Sequence, residues 1–141
     1  MKKLHDKNEI YRKSGAVHGC ALCNKNEILD FVEDVGRHNA VDAIAGHMWL
    51  NELEGCEKIF YTTGRLTSEM VIKVAQMNIS VLLSRSGITE MGLNVAKETN
   101  VTLLGRAKGR HFLIYNGKEN IEFDAIPDPR PEGSADIWKR R

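Results

Sequence analysis

Apolar positions in this chain fall into short runs and stripes whose period changes along the sequence. Residues 2–13 are polar, with apolar side chains only at Leu4, Ile10 and Tyr11, a spacing that supports one short surface helix. Val17 to Cys23 and Ile28 to Val32 are two apolar runs separated by Asn24-Lys25-Asn26, the pattern of a β-hairpin. Ala40, Val41, Ile44, Ala45, Met48 and Trp49 then recur on one helical face. A helix capped by Asn39 is therefore expected to run to about Leu53 and to stop at Gly55. Lys58 to Thr62 reads as a strand. A second helix follows, capped by Thr67 or Ser68, with apolar positions Met70, Val71, Val74, Ala75 and Met77. Ile79 to Leu83 is another buried strand, and Thr89 opens a third helix reaching Thr99. Val101 to Gly105 and Phe112 to Tyr115 are strands joined across Lys108-Gly109-Arg110. Strands alternating with helices of about a dozen residues favour parallel βαβ units, and the leading and trailing hairpins add antiparallel edges. The expected class is α/β, a mixed sheet between helical layers.

With 141 residues the chain fits one domain. Residues 1–14 read as an N-terminal extension, 15–126 as the α/β domain and 127–141 as a polar tail. That tail holds all three prolines and is read as an arm or flexible end, whose Ile137 and Trp138 are candidates to dock on a surface. Twenty basic residues against 19 acidic ones leave a net charge of +1, so bulk charge gives no argument for nucleic acid. The longest apolar runs fall far short of the roughly 20 residues of a membrane helix. The charged N-terminus lacks the apolar segment of a signal peptide. A reducing cytoplasm is the default expectation, so the three cysteines read as thiols or metal ligands rather than a disulfide frame.

In open α/β sheets, ligands sit at the carboxyl ends of strands. Three loops there are rich in chemistry: Glu33 to Asn39, Thr62-Thr63-Gly64-Arg65, and Ser84-Arg85-Ser86-Gly87-Ile88-Thr89. Each supplies a glycine that admits a close ligand, an arginine able to grip phosphate, and a helix N-terminus whose free N–H groups attract anions. Together they point to a phosphorylated or nucleotide-bearing ligand, although each loop alone is also ordinary cap chemistry. None matches the P-loop or the dinucleotide fingerprint. Two plainer readings stand beside this one: Asp34 and Asp42 could form an ion-paired helix start with Arg37, and His38 could be a buried donor.

Cys20 and Cys23 form Cys-Ala-Leu-Cys, a spacing that suits a persulfide carrier with a resolving thiol. The same residues also read as two small buried side chains, because on an extended strand positions 20 and 23 face opposite ways. A zinc site from His18, Cys20, Cys23 and a distant His38 or His47 is a further reading. It lacks a second close pair, and neither the His-x-Glu nor the Pro-Cys-x-x-Cys of zinc deaminases is present. Cys56 reads as a lone thiol.

Glu33-Asp34-Val35-Gly36-Arg37-His38-Asn39-Ala40-Val41-Asp42 resembles the EDxGRHNAVD signature of the FdhD/NarQ family. The order and spacing of further segments agree. Gly15 to Cys23 resembles the family's GGVHxAAL-type strand, Thr63 to Val71 resembles SGRxSxELV, and Ile79 to Ser84 resembles IPVLVS. Val101 to Gly105 with Arg110 to Tyr115 resembles LTLVGFxRGxRFNVY, so the likeness runs from about Gly15 to Tyr115.

That resemblance implies a three-layer α/β/α fold of the cytidine-deaminase type and a cytoplasmic homodimer. It implies a bound guanine-nucleotide cofactor, either the molybdenum bis(guanine dinucleotide) cofactor or a GDP-like nucleotide. It also implies passage of sulfur from a cysteine desulfurase to the cofactor of a formate dehydrogenase subunit. By loop position and motif overlap, Arg37, His38, Asn39, Thr63, Gly64, Arg65, Ser84 and Thr89 are the expected cofactor-binding residues. In the family the reactive cysteine pair lies upstream of the GGVH-type strand, whereas residues 1–14 here contain no cysteine. The expectation divides accordingly into a fragment of a longer protein, a cofactor-binding paralogue without sulfur transfer, or a carrier in which Cys20 and Cys23 act.

Overall fold

In the computed structural model, residues 2–123 are described, apart from Asn26 and Arg110. The expected tail at 127–141, with its docking residues Ile137 and Trp138, lies outside the described residues.

The first strand is buried along almost its whole length and the second is mostly half-buried. β1 (His18–Cys23) and β2 (Ile28–Asp34) pair antiparallel, with His18 opposite Asp34. The turn between them closes where Asn24 N–H donates to Glu27 O and Glu27 N–H donates to Asn24 Oδ1 at 2.8 Å. β3 (Ile59–Thr62), β4 (Val81–Ser84) and β5 (Thr102–Lys108) run parallel to one another, and β6 (His111–Asn116) returns antiparallel. The sheet order is β2-β1-β3-β4-β5-β6. This is the expected mixed α/β sheet with antiparallel edges.

Helices α3 (Arg37–Leu50), α4 (Ser68–Gln76) and α5 (Glu90–Glu98) connect the strands and share one core. Cys20, Leu22, Phe60, Leu82 and Leu103 face Ala40, Val41, Ile44 and Met48 of α3, Met70, Val71 and Val74 of α4, and Ala96 of α5. On the opposite face Ala21, Cys23 and Tyr61 pack against Leu4. The N-terminal segment is two short helices, α1 (Lys2–Lys7) and α2 (Glu9–Ser14), rather than the single one expected. Asn8 breaks the run and is fully buried. The Glu33 carboxylate accepts from the N–H groups of Ile10 and Tyr11 at 3.1 and 2.7 Å, which satisfies orphan donors at the start of α2.

The first long helix departs from its sequence reading at both ends. It starts at Arg37, with Gly36 as the N-cap. Asn39 lies inside the first turn, where its Nδ2 donates to Asp34 Oδ1 at 3.0 Å. The helix stops at Leu50, before Gly55. Trp49, expected on the apolar face, is 81% exposed. Each i+4 step advances about 40° around a helix. The row Val41, Ala45, Trp49 accordingly passes from buried through half-buried to exposed as it drifts off the sheet.

Candidate functional site at the carboxyl ends of the parallel strands

Strand direction decides which loops meet. β2 is antiparallel to β1, and β1 is antiparallel to β3, so β2 ends at the same edge as β3 and β4. His18, at the start of β1, reaches that edge from the other direction. The three polar loops and His18 are thereby brought together.

A continuous set of hydrogen bonds fixes the two inner loops. Gly19 and Thr63 exchange bonds: Thr63 N–H donates to Gly19 O at 2.9 Å, and Gly19 N–H to Thr63 Oγ1 at 3.0 Å. Gly64 N–H donates to Thr62 Oγ1 at 3.0 Å, and Ser84 Oγ donates to Gly64 O at 2.6 Å. Ser86 Oγ donates to Thr63 O at 2.9 Å, which ties the loop after β4 to the loop after β3. Leu66 N–H donates to Gly87 O and Thr89 N–H to Leu66 O, both at 3.0 Å. Thr89 Oγ1 also accepts from Gly92 N–H at 3.1 Å, the cap the sequence predicts. The hydroxyls of Thr63, Ser84 and Thr89 thus take part in holding the loops together.

Arg37 lies against this framework. A Cβ added at Gly64 would lie 3.2 Å from Arg37 Cδ and 3.3 Å from Arg37 Cβ, so the arginine stem lies over the glycine. Its position is set by the turn before α3, where Asp34 Oδ1 accepts from Gly36 N–H at 2.7 Å as well as from Asn39. Arg37 Nε is buried and has no hydrogen-bond partner among the described residues. The same holds for His18 Nδ1. Burial first, then the positive charges of Arg37 and Arg65, hold the His18 pKa below its ordinary value of 6.5. Beside this group His38 Nε2 meets Glu69 Oε2 at 3.2 Å, joining the first turns of α3 and α4. Asp42, weighed above as a partner of Arg37, instead accepts from Lys73 Nζ at 2.6 Å on α4.

The cysteines lie elsewhere. Cys20 is buried on the helix-covered face, where its thiol donates to Thr62 Oγ1 at 3.3 Å and burial pushes its pKa up to about 11. Cys23 is buried on the opposite face and is likewise shifted up by burial. The strand period has separated the pair, and both are held as thiols. Cys56 is exposed. Among the described residues no three His, Cys, Asp or Glu side chains converge where a metal ion could be held.

His18 keeps different company in the fold from that which its sequence position suggests. Its nearness in sequence to Cys20 and Cys23 associates it with thiol or zinc chemistry, whereas the antiparallel run of β1 sets it beside the arginines. Arg106 went unnoticed too: it adopts a left-handed φ of 52°, and its guanidinium passes within 3.8 Å of where a Gly87 Cβ would stand.

The model of the FdhD/NarQ family matches residues 1–122 of the chain. The chain belongs to the FdhD/NarQ family. The sulfur carrier protein FdhD of Bacillus pumilus is 36% identical over 121 residues, covering 86% of this chain and 46% of the relative. The Bacillus subtilis protein of the same name is 34% identical over 121 residues, with the same coverage. The chain spans about half the length of these curated relatives. The crystal structure of a formate dehydrogenase accessory protein from Desulfotalea psychrophila superposes with a TM-score of 0.80 at 35% identity, over 86% of this chain and 52% of that one. A dCMP deaminase from cyanophage S-TIM5 reaches a TM-score of 0.54 at 13% identity, over 74% of this chain and 94% of that one, a likeness of fold alone. The FdhD-like α/β fold and its kinship with the deaminase fold agree with the expectation from sequence. No helix among the described residues is long and apolar enough to cross a membrane.

Proposed function

We propose that this chain is the cofactor-holding part of an FdhD-type accessory protein for formate dehydrogenase, gripping the phosphates of a guanine-nucleotide cofactor between Arg37 and Arg65. The observation that carries this reading is the buried, unpaired Nε of Arg37 beside Gly64. An unsatisfied buried donor costs about 1–3 kcal/mol, a penalty that a bound anion removes. The residues present fit such a group. Gly64 lacks the Cβ that would crowd Arg37, and the N-termini of α3 and α4 leave backbone N–H groups for an anion.

The expected ligand is the molybdenum bis(guanine dinucleotide) cofactor, or GDP as its nucleotide portion. When bound, the cofactor supplies the metal centre that receives sulfur and the pyrophosphate that carries negative charge. The protein's share is to bind and orient. Arg37 and Arg65 offer charge-assisted donors, and the Ser84–Gly64 and Ser86–Thr63 bonds keep the two loops in register. Asp34 holds the turn that aims Arg37. Burial of Cys20 and Cys23 favours the version in which this chain holds the cofactor and transferred sulfur rides on another thiol. A formate dehydrogenase subunit and a cysteine desulfurase are the corresponding partners, with homodimerisation and a cytoplasmic setting as in the sequence-based expectation.

Calorimetric titration with GDP tests the reading. Arg37→Ala and Arg65→Ala are each expected to weaken binding by about tenfold or more, since a hydrogen bond to a charged group contributes about 1.5–3 kcal/mol. Folded protein that shows no saturable GDP binding would remove the proposal.

A further inference from the structure

We infer that Arg106 holds the second phosphate of the ligand and so sets a preference for a diphosphate over a monophosphate; the inference rests on the cofactor-holding reading above. The loop after β4 brings an arginine of its own, Arg85, but that side chain is engaged elsewhere. Its guanidinium stands 5.5 Å over the centroid of the Tyr11 ring and hydrogen-bonds the Tyr61 hydroxyl, on the sheet face where Tyr61 packs with Leu4. Arg106 takes its place at this loop. The Arg106 Nη2 and Nε lie 3.8 and 3.9 Å from where a Gly87 Cβ would stand, and among the described residues nothing else beyond the chain neighbours of Gly87 comes within 4 Å of that point. The arrangement repeats that of Arg37 over Gly64, one strand away.

The backbone is bent to put Arg106 there. Gly105 pairs with Leu113 and Lys108 with His111, so β5 carries one residue more than β6 between these pairs, a β-bulge. Within it Arg106 holds a φ of 52°, a left-handed conformation ordinarily left to glycine and costly for a residue with a Cβ. Bulges re-aim side chains, and strained backbone of this kind clusters at ligand sites. Arg106 N–H donates to Ser86 O at 2.9 Å and Ser86 Oγ donates to Thr63 O, so Arg106 is seated on the same bonded loops as Gly64. Its side chain is exposed, and among the described residues its guanidinium has no hydrogen-bond or ion-pair partner. Gly64 and Gly87 follow the neighbouring parallel strands β3 and β4, which are spaced about 5 Å apart. Two arginines so separated suit the two phosphates of one diphosphate better than a single phosphate. With Arg37 Nε buried and Arg106 exposed, the inner phosphate falls to Arg37 and the outer one, which GMP lacks, to Arg106.

Calorimetric titration of the full chain with GDP and with GMP tests the assignment. Wild-type protein is expected to bind GDP about tenfold or more tightly than GMP, the factor that one hydrogen bond between charged groups supplies. Arg106→Gly removes the guanidinium and also relieves the left-handed backbone. Its urea midpoint should therefore hold or rise, while GDP affinity falls to about that of GMP and GMP affinity stays unchanged. Arg106→Lys, which keeps the charge, should keep part of the preference, whereas Arg37→Ala should weaken both nucleotides. A selective fall in GDP affinity without a fall in midpoint is not what a merely structural role for Arg106 produces. Equal affinity of wild-type protein for GMP and GDP, unchanged GDP affinity in Arg106→Gly, or an equal loss for both nucleotides overturns the inference while leaving the cofactor reading in place. Folded wild-type protein that binds neither nucleotide overturns both.

Discussion

Gly64→Ala adds a single carbon beneath the Arg37 side chain, and its consequences can be worked from contact distances. The new Cβ would stand 3.2 Å from Arg37 Cδ, 3.3 Å from Arg37 Cβ and 3.4 Å from Thr62 Oγ1. Carbon atoms prefer separations of about 3.5–4.0 Å, so the overlap is a few tenths of an ångström and falls mainly on the arginine. Gly64 is not among the described glycines with left-handed backbone, which leaves steric crowding as the whole cost. Overpacking runs to about 1–3 kcal/mol, and a side chain with one free end should place this case near the lower limit. Relief requires Arg37 to lean away, carrying its guanidinium from the proposed anion site. A loss of about 1 kcal/mol in urea unfolding is expected, together with roughly tenfold weaker GDP binding by calorimetry. In an Arg37→Ala background the Cδ contact is gone, so Gly64→Ala should cost less stability and change GDP binding little further. Equal stability costs in the two backgrounds, or wild-type GDP affinity in the Gly64→Ala protein, would refute the reasoning. Gly92→Ala is the contrast: its Cβ would approach the backbone Leu66 O to 2.6 Å, and because backbone cannot swing aside the stability loss should be larger.

Two further outcomes follow from burial. Alkylation of native protein near pH 8 should modify exposed Cys56 first and spare Cys20, whose thiol is buried with a pKa of about 11, and Cys23; equal rates by peptide mass spectrometry would contradict the placement of β1. His18 has a folded pKa below its unfolded value of 6.5, so between those two values the unfolded chain binds the extra proton. Stability should consequently fall as pH drops through 6.5 toward the folded pKa, and His18→Gln should show a smaller fall in denaturation midpoint over that window; parallel curves would show that burial of His18 imposes no such penalty.

Most of the fold was legible because local periodicity and turn chemistry agreed with the tertiary outcome. The parallel strands β3, β4 and β5, the Thr89 cap and the hairpin each follow from neighbours in sequence. The EDxGRHNAVD-like stretch likewise marked Arg37 as a site candidate. What sequence determined alone was therefore the class of fold, the three polar loops and the family. Tertiary structure decided how those loops are used. Asn39 became a brace for Asp34 because Gly36 took the cap, and Trp49 turned outward because its helical row drifts past the sheet. Cys20 and Cys23 were sent to opposite faces by the two-residue period of a strand, with separate cores to receive them. His18 joined Arg37 and Arg65 only because β1 runs against β3, which brings the start of one strand to the end of the other. Such convergence depends on strand direction across the sheet, and no local spacing records it.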